Sequence, residues 1–193
     1  MRIIAGKWRS RQLKRPDTAA TRPMPDRIKE AIFNSLGARY GSPGALPALC
    51  VADLFAGSGS LGLEALSRGA ASCCFVEDNV DALAALRLNV GALHAESSAT
   101  ITDRDAWAFG DSAAGREPFD LIFLDPPYCD SKDDSDSGRV AGFLQSLTAG
   151  GPDGTIVLLH HPAAVRFDAP RTDGWTVTDV RKFGTNGITL FSR

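Results

Sequence analysis

Apolar and polar positions change rhythm along this chain, and each change marks an element. Residues 2–14 alternate short apolar groups (Ile3, Ile4, Trp8, Leu13) with bases around Gly6, which predicts a small β-ribbon with a cationic outer side. Residues 15–25 hold Pro16, Pro23 and Pro25, the composition of a stiff extended linker. From about Asp26, the residues Ile28, Ile32, Phe33 and Leu36 fall on one helical stripe that ends near Gly37 or Gly41. A Gly/Pro loop over 41–47 then leads into the main body.

The body alternates strand and helix signals at the spacing of a parallel α/β sheet. Strands are predicted at Cys50–Phe55, Ser72–Glu77, Ala99–Thr102, Phe119–Asp125 and Thr155–His160. Helical segments are predicted near Ser60–Arg68, Val80–Leu93, Ala106–Gly110 and Val140–Leu147. The period then switches to two over Trp175–Phe183 and Gly187–Phe191, separated by Gly184-Thr185-Asn186-Gly187, which reads as a hairpin. Five parallel βα units closed by an antiparallel hairpin is the expected architecture. The stretch from Asp130 to Gly138 reads as a polar loop, and His160-His161-Pro162 as a structural turn closing the fifth strand.

Composition agrees with this picture, and charge adds to it. The chain has 193 residues, 44% hydrophobic and 23% charged, as expected of one ordinary globular domain. No apolar run approaches the roughly 18 residues that span a bilayer, and the first residues become basic too soon for a signal peptide. A net charge of −2 argues against a nucleic-acid partner only if it is spread evenly. It is not. Residues 1–30 carry nine Lys/Arg against three Asp/Glu, leaving 21 − 9 = 12 bases against 23 − 3 = 20 acids elsewhere. A basic arm of +6 therefore precedes an acidic body of −8. Arg2, Lys7, Arg9, Arg11, Lys14 and Arg15 supply six bases without an acid among them, a charge line able to track phosphates, with Trp8 placed to stack or pack. Cys50, Cys73, Cys74 and Cys129 form no metal or disulfide pattern and read as reduced thiols of a cytoplasmic protein, and the histidines lack zinc-ligand spacing.

Two motifs carry chemistry. The first, Asp53-Leu-Phe-Ala-Gly57-Ser-Gly59-Ser-Leu-Gly62, follows the first parallel strand and spells G-x-G-x-x-G. Such glycines let a backbone approach a ligand, and Glu77, 20 residues past Gly57, can accept both hydroxyls of a ribose. The cofactor is then NAD(H), FAD or S-adenosylmethionine. Asp53 favours the last, because a carboxylate there would repel a pyrophosphate but suits a sulfonium and an ammonium group. Its plainer role is to cap the turn, and the two are compatible.

The second motif is Phe119-Asp-Leu-Ile-Phe-Leu-Asp125-Pro126-Pro127-Tyr128. An exocyclic base amine is nearly non-basic, since its lone pair is delocalised into the ring. Acceptors aimed at its N–H bonds push that pair towards an electrophilic methyl group. Asp125 and the Pro126 carbonyl can be those acceptors, both prolines fix φ so the turn is rigid, and Tyr128 offers a face for an extruded base.

Together these motifs resemble the Class I S-adenosylmethionine-dependent methyltransferases that modify base amines. The whole chain, from Met1–Arg9 through Thr21-Arg22-Pro23, Asp26–Asn34, Asp53–Ala70 and Phe119–Tyr128 to Lys182-Phe183-Gly184, resembles the D type of bacterial 16S rRNA guanine-N2 methyltransferases. The resemblance implies a Rossmann-like, mostly parallel seven-stranded sheet with an antiparallel C-terminal hairpin. Residues 1–40 would form an RNA-binding extension and 41–193 the methyltransferase domain. It implies cofactor contacts at Asp53, Phe55, Ala56, Gly57, Gly59, Glu77 and Asp78, and an adenine contact at Asp105 and Ala106. Thr21 and Arg22 would close the pocket, and Asp125, Pro126, Pro127 and Tyr128 would be the catalytic turn. It further implies 16S rRNA within an assembling 30S subunit as partner, a monomer, and neither metal nor membrane. Met24-Pro25 departs from the family's small polar pair. The rivals are a DNA amino-methyltransferase, for which no target-recognition insertion is visible, and a nicotinamide oxidoreductase, which leaves Asp-Pro-Pro-Tyr without a role.

Overall fold

The structure, a computed structural model, describes residues 1–16, 24–112, 119–133, 135, 138–148, 154–167 and 174–193. The elements run α1 (Asp26–Arg39), β1 (Cys50–Leu54), α2 (Ser60–Arg68), β2 (Ser72–Glu77), α3 (Val80–Ala92), β3 (Ala99–Asp103) and a 3-10 segment (Ala106–Ser112). They continue with β4 (Leu121–Leu124), α4 (Arg139–Thr148), β5 (Ile156–Pro162), β6 (Thr176–Phe183) and β7 (Asn186–Ser192). Seven strands are found among the described residues, in the sheet order β3-β2-β1-β4-β5-β7-β6. The chain divides into two compact units, Met1–Arg104 and Asp105–Arg193.

In the first unit β2 pairs in parallel with β1 and with β3. Four of the five β1 residues are buried, so it reads as a continuous apolar run rather than an alternation, as strands covered on both faces do. Gly62 shows how closely α2 lies on β2. A Cβ there would sit 2.4 Å from the Phe75 ring and 2.6 Å from Cys73 Sγ, the close helix–strand contact that the last glycine of such a loop allows. Asn79 caps α3 by accepting a hydrogen bond from Ala82 N at 3.0 Å. The predicted stripe of α1 is the buried one: Ile28, Ile32, Phe33 and Leu36 are all inside.

The basic ribbon belongs to this unit. It folds back through a turn over residues 5–10, and Arg2 and Gln12 form a single antiparallel bridge. Ile3 and Leu13 are buried. The linker that follows includes residues 17–23, which lie outside the described residues.

In the second unit β4 and β5 are parallel, while β7 runs antiparallel to both β5 and β6. Gly184-Thr185 makes a two-residue turn, with Gly184 at φ +62°. β4 is shorter than the expected Phe119–Asp125 at both ends; at its carboxyl end it stops at Leu124, before Asp125-Pro126-Pro127, where proline has no N–H to give the ladder. His160-His161-Pro162 is a correction: these residues are the last three of β5, paired with Ile188, Gly187 and Asn186 of β7, and not a turn.

Candidate active site

The glycine loop begins where β1 ends. Phe55 takes φ +61°, a left-handed conformation costing roughly 1–2 kcal/mol for a residue with a Cβ. Such strain persists where the surroundings over-determine it, commonly at ligand sites. Asp53, almost wholly buried, accepts a hydrogen bond from Gly62 N at 2.8 Å and so ties the strand end to the first turn of α2. The capping role is thus present. Ala56 is buried, and its N–H donates to Val76 O at 3.1 Å. Glu77 closes the loop from β2: Oε2 accepts from Gly57 N at 2.7 Å, and Oε1 from Asn79 N at 2.9 Å and Asp78 N at 3.2 Å. Three backbone N–H groups thus fix the carboxylate's orientation.

The glycines divide by task. A Cβ on Gly59 would collide with Leu86 at 2.5 Å, and Gly62 packs against Phe75 as described. Around Gly57, at φ +57°, a Cβ would meet nothing within 4 Å. Of the three, Gly57 faces open space, and there the backbone itself can meet a ligand.

In the second unit Asp105 is exposed and accepts from Trp107 N at 2.9 Å, starting the 3-10 segment, while Ala106 is buried beneath it. The Asp125–Tyr128 turn follows β4. Asp125 has a side chain 33% exposed, Pro126 is buried, Pro127 is exposed, and Asp130 N donates to Pro127 O at 2.9 Å. Asp125 Oδ1 lies 2.7 Å from His160 Nδ1. Tyr128 donates its hydroxyl to Asn186 Oδ1 at 2.7 Å while 40% of the residue stays exposed. Burial, and then the Asp125 charge, push its phenol above the ordinary value. The hydroxyl is therefore a proton-bearing anchor, and part of the ring stays open to solvent.

All six bases of the ribbon are exposed. Arg2 pairs with Asp26 at 2.9 Å, Arg11 donates to Ala92 O at 2.9 Å, and Lys7 lies 4.2 Å over the Trp8 ring. Asn89 brackets Lys14, accepting from its N–H at 2.7 Å and donating to its carbonyl at 3.0 Å. The ribbon is anchored by its backbone, so its charges stay outward. Thr21 and Arg22 lie outside the described residues.

Sequence reasoning missed two groups. One is Glu64, fully buried, which accepts from Ile4 N at 2.7 Å and Ala5 N at 3.0 Å and pairs with Arg68 at 2.8 Å and Lys29 at 3.3 Å. Its only signal was a charged residue at a helix position otherwise apolar. The other is His160 with Asn186, for which strand-internal histidine was the signal.

The family model described as "Conserved hypothetical protein 95" matches residues 1–192. The chain belongs to that family. Relatives of this family member include "Putative rRNA methyltransferase YlbH" of Bacillus subtilis, 34% identical over 195 residues, 100% of this chain and 99% of that one. "Ribosomal RNA small subunit methyltransferase D" of Escherichia coli is 40% identical over 128 residues, 66% of this chain and 60% of that one. Among solved structures, "Putative methyltransferase yhhF from Escherichia coli" superposes with a TM-score of 0.79 at 29% identity, covering 100% of this chain and 97% of that one.

Proposed function

We propose that this protein transfers a methyl group from S-adenosylmethionine to the exocyclic N2 amine of a guanine in 16S rRNA. The observation that carries it is the Asp125–Tyr128 turn: a held carboxylate, two φ-locked prolines and a half-open aromatic ring at the carboxyl end of a parallel strand. The names of both relatives support a ribosomal RNA substrate, and that of the Escherichia coli relative supports the small subunit.

The loop residues fit the cofactor. Glu77 suits ribose hydroxyls, the open space at Gly57 suits a ligand against bare backbone, and Asp105 suits an adenine amino group. Phe55, Ala56, Gly59 and Asp78 shape the rest. Asp53 contributes negative potential to a cationic ligand while holding α2 in place. When bound, the cofactor would supply an electrophilic methyl and depart as a neutral thioether, its C–S bond exchanged for an N–C bond, with the proton displaced from the methylated nitrogen passing to solvent. Asp125 and the Pro126 carbonyl accept the amine's N–H bonds and stabilise the charge that develops on nitrogen. Tyr128 holds the base by stacking, and the turn's rigidity supplies alignment. No metal takes part in this route.

The ribbon bases Arg2, Lys7, Arg9, Arg11, Lys14 and Arg15 are the RNA handle, and residues 1–40 act as the recognition extension of the catalytic body at 41–193. We place the reaction in the cytoplasm, by a monomer, on an assembling 30S subunit. Mapping methylguanine by mass spectrometry in rRNA from a strain lacking the protein, with and without complementation, tests the reading. Restoration by wild type and not by Asp125→Ala is expected, with cofactor affinity of the variant within about threefold of wild type. A variant that methylates like wild type ends the catalytic assignment.

A further inference from the structure

We propose that His160 is a positioning residue for methyl transfer, setting the geometry of Asp125 directly and of Tyr128 through Asn186. The proposal rests on the reading of the Asp125–Tyr128 turn given above. β4 and β5 are in register through Leu124 and Leu159, so the next residues outward, Asp125 and His160, emerge side by side. Asn186 arrives from the start of β7, opposite Pro162. Three separate segments thus meet at one imidazole.

The protons can be counted. Asn186 Nδ2 donates to Phe183 O at 3.3 Å, which turns Oδ1 towards Tyr128 and His160. Tyr128 spends its one hydroxyl proton on that Oδ1 at 2.7 Å. His160 Nε2 lies 2.9 Å from the same oxygen and 3.2 Å from the Tyr128 hydroxyl. With the tyrosine proton spent, Nε2 satisfies this arrangement only as a donor. Nδ1 faces the Asp125 carboxylate at 2.7 Å and is a donor as well. An imidazole with both nitrogens donating is an imidazolium.

The electrostatics agree. Burial pushes the His160 imidazole down, but the Asp125 charge, its hydrogen bond and the Asn186 bond outweigh burial and hold it above its ordinary value. The other groups near it are accounted for. Tyr128 is neutral, its phenol pushed up by burial. His161 bonds instead to Thr189 Oγ1 at 2.9 Å and is pushed down by burial. Lys182 on β6 acts on His161, and β7 carries no ionisable side chain.

The consequence is geometric. With Oδ1 held by a charged donor, the carboxylate plane is fixed and Oδ2 is the acceptor left for a substrate N–H. The Tyr128 ring, 69° to the imidazole at a centroid distance of 5.5 Å, is held edge-on, with its exposed portion available to a base. Loss of the proton from His160 would leave one N–H for two acceptors: either the ion pair with Asp125 becomes a bond from a neutral donor, or Nε2 faces Asn186 Oδ1 without a proton, and the grip on the partners loosens.

The test uses the full-length protein and small subunits from a strain lacking it. Single-turnover methyl transfer is measured between about pH 6 and pH 9, bracketing an imidazole raised from its ordinary value, with S-adenosylmethionine affinity measured by calorimetry alongside. His160→Ala should lower the rate by about a hundredfold, the cost of a misplaced reacting group, with cofactor affinity unchanged. Wild type should lose rate as pH rises through the imidazole's titration, and His160→Ala should lack that limb. His160→Asn, whose amide can donate to Asp125 in place of Nδ1, should recover about tenfold and also lack the limb. A His160→Ala rate within about threefold of wild type, or an alkaline limb surviving in it, overturns the proposal. Should that variant fail to fold, Asn186→Ala carries the test. Its limb should move to lower pH because an acceptor for Nε2 is gone, and an unmoved limb is the overturning result. If wild type itself binds cofactor and methylates no guanine, the reading of the turn falls instead.

Discussion

Glu64→Gln would remove one negative charge from a site where two positive charges are already buried. The carboxylate accepts from Ile4 N, Ala5 N and Arg68 Nε and pairs with Lys29, with the Lys29, Glu64 and Arg68 side chains 1%, 0% and 2% exposed. Glutamine keeps the shape but offers one acceptor oxygen and an NH2 group, which must face some of the same donors. Breaking a buried ion pair from one side costs about 3–5 kcal/mol. Lys29 has an escape: burial already pushes its ammonium down and Glu64 is what holds it up, so without Glu64 it can shed its proton. Arg68 cannot, although it keeps the Phe33 ring at 4.9 Å. The lower figure, about 3 kcal/mol, is therefore expected. For a domain of this size that is a fall in Tm of roughly 6–12 °C. Thermal and urea unfolding followed by circular dichroism measure it, and trypsin should cut sooner at Arg9 or Arg11 as the ribbon loosens. A loss under about 1 kcal/mol with an unchanged cleavage rate would refute the account of what holds the ribbon.

Gly62→Ala should cost about 1–3 kcal/mol by overpacking, because its Cβ would lie 2.4 Å from the Phe75 ring; unchanged urea stability would show that α2 can shift freely. Reversing the charges of Arg9, Arg11 and Lys14 should weaken RNA binding and flatten its salt dependence by about one slope unit for each phosphate no longer neutralised. An unaltered slope would leave the ribbon a merely solvated face. His160 is held above its ordinary value in the folded state, so its contribution to stability is complete below about pH 6.5 and is lost as pH rises through the folded value. The difference in unfolding free energy between wild type and His160→Asn should accordingly shrink on going alkaline, and growth with pH would contradict the assigned proton.

The sequence by itself determined the order of the elements. Period-two and period-3.6 patterns are local, so α2 and β2 were legible to the residue, and Gly184-Thr185 announced its hairpin because few residues accept a positive φ there. The glycine loop and the proline-locked turn were legible as local structure for the same reason, since each is contained within ten residues. What tertiary structure decided was how charge is spent. Asp53 and Glu77 hold the loop's own N–H groups. A glutamate in the second helix holds Ile4 and Ala5 of the ribbon by their backbone N–H groups. His160, which in sequence ends a strand beside a proline, becomes the partner of Asp125, 35 positions away. Hydrogen bonds between distant segments leave no periodic trace, since any compatible donor serves and only packing selects one. The elements are thus written along the chain, and the partners of the buried charges are written only in the fold.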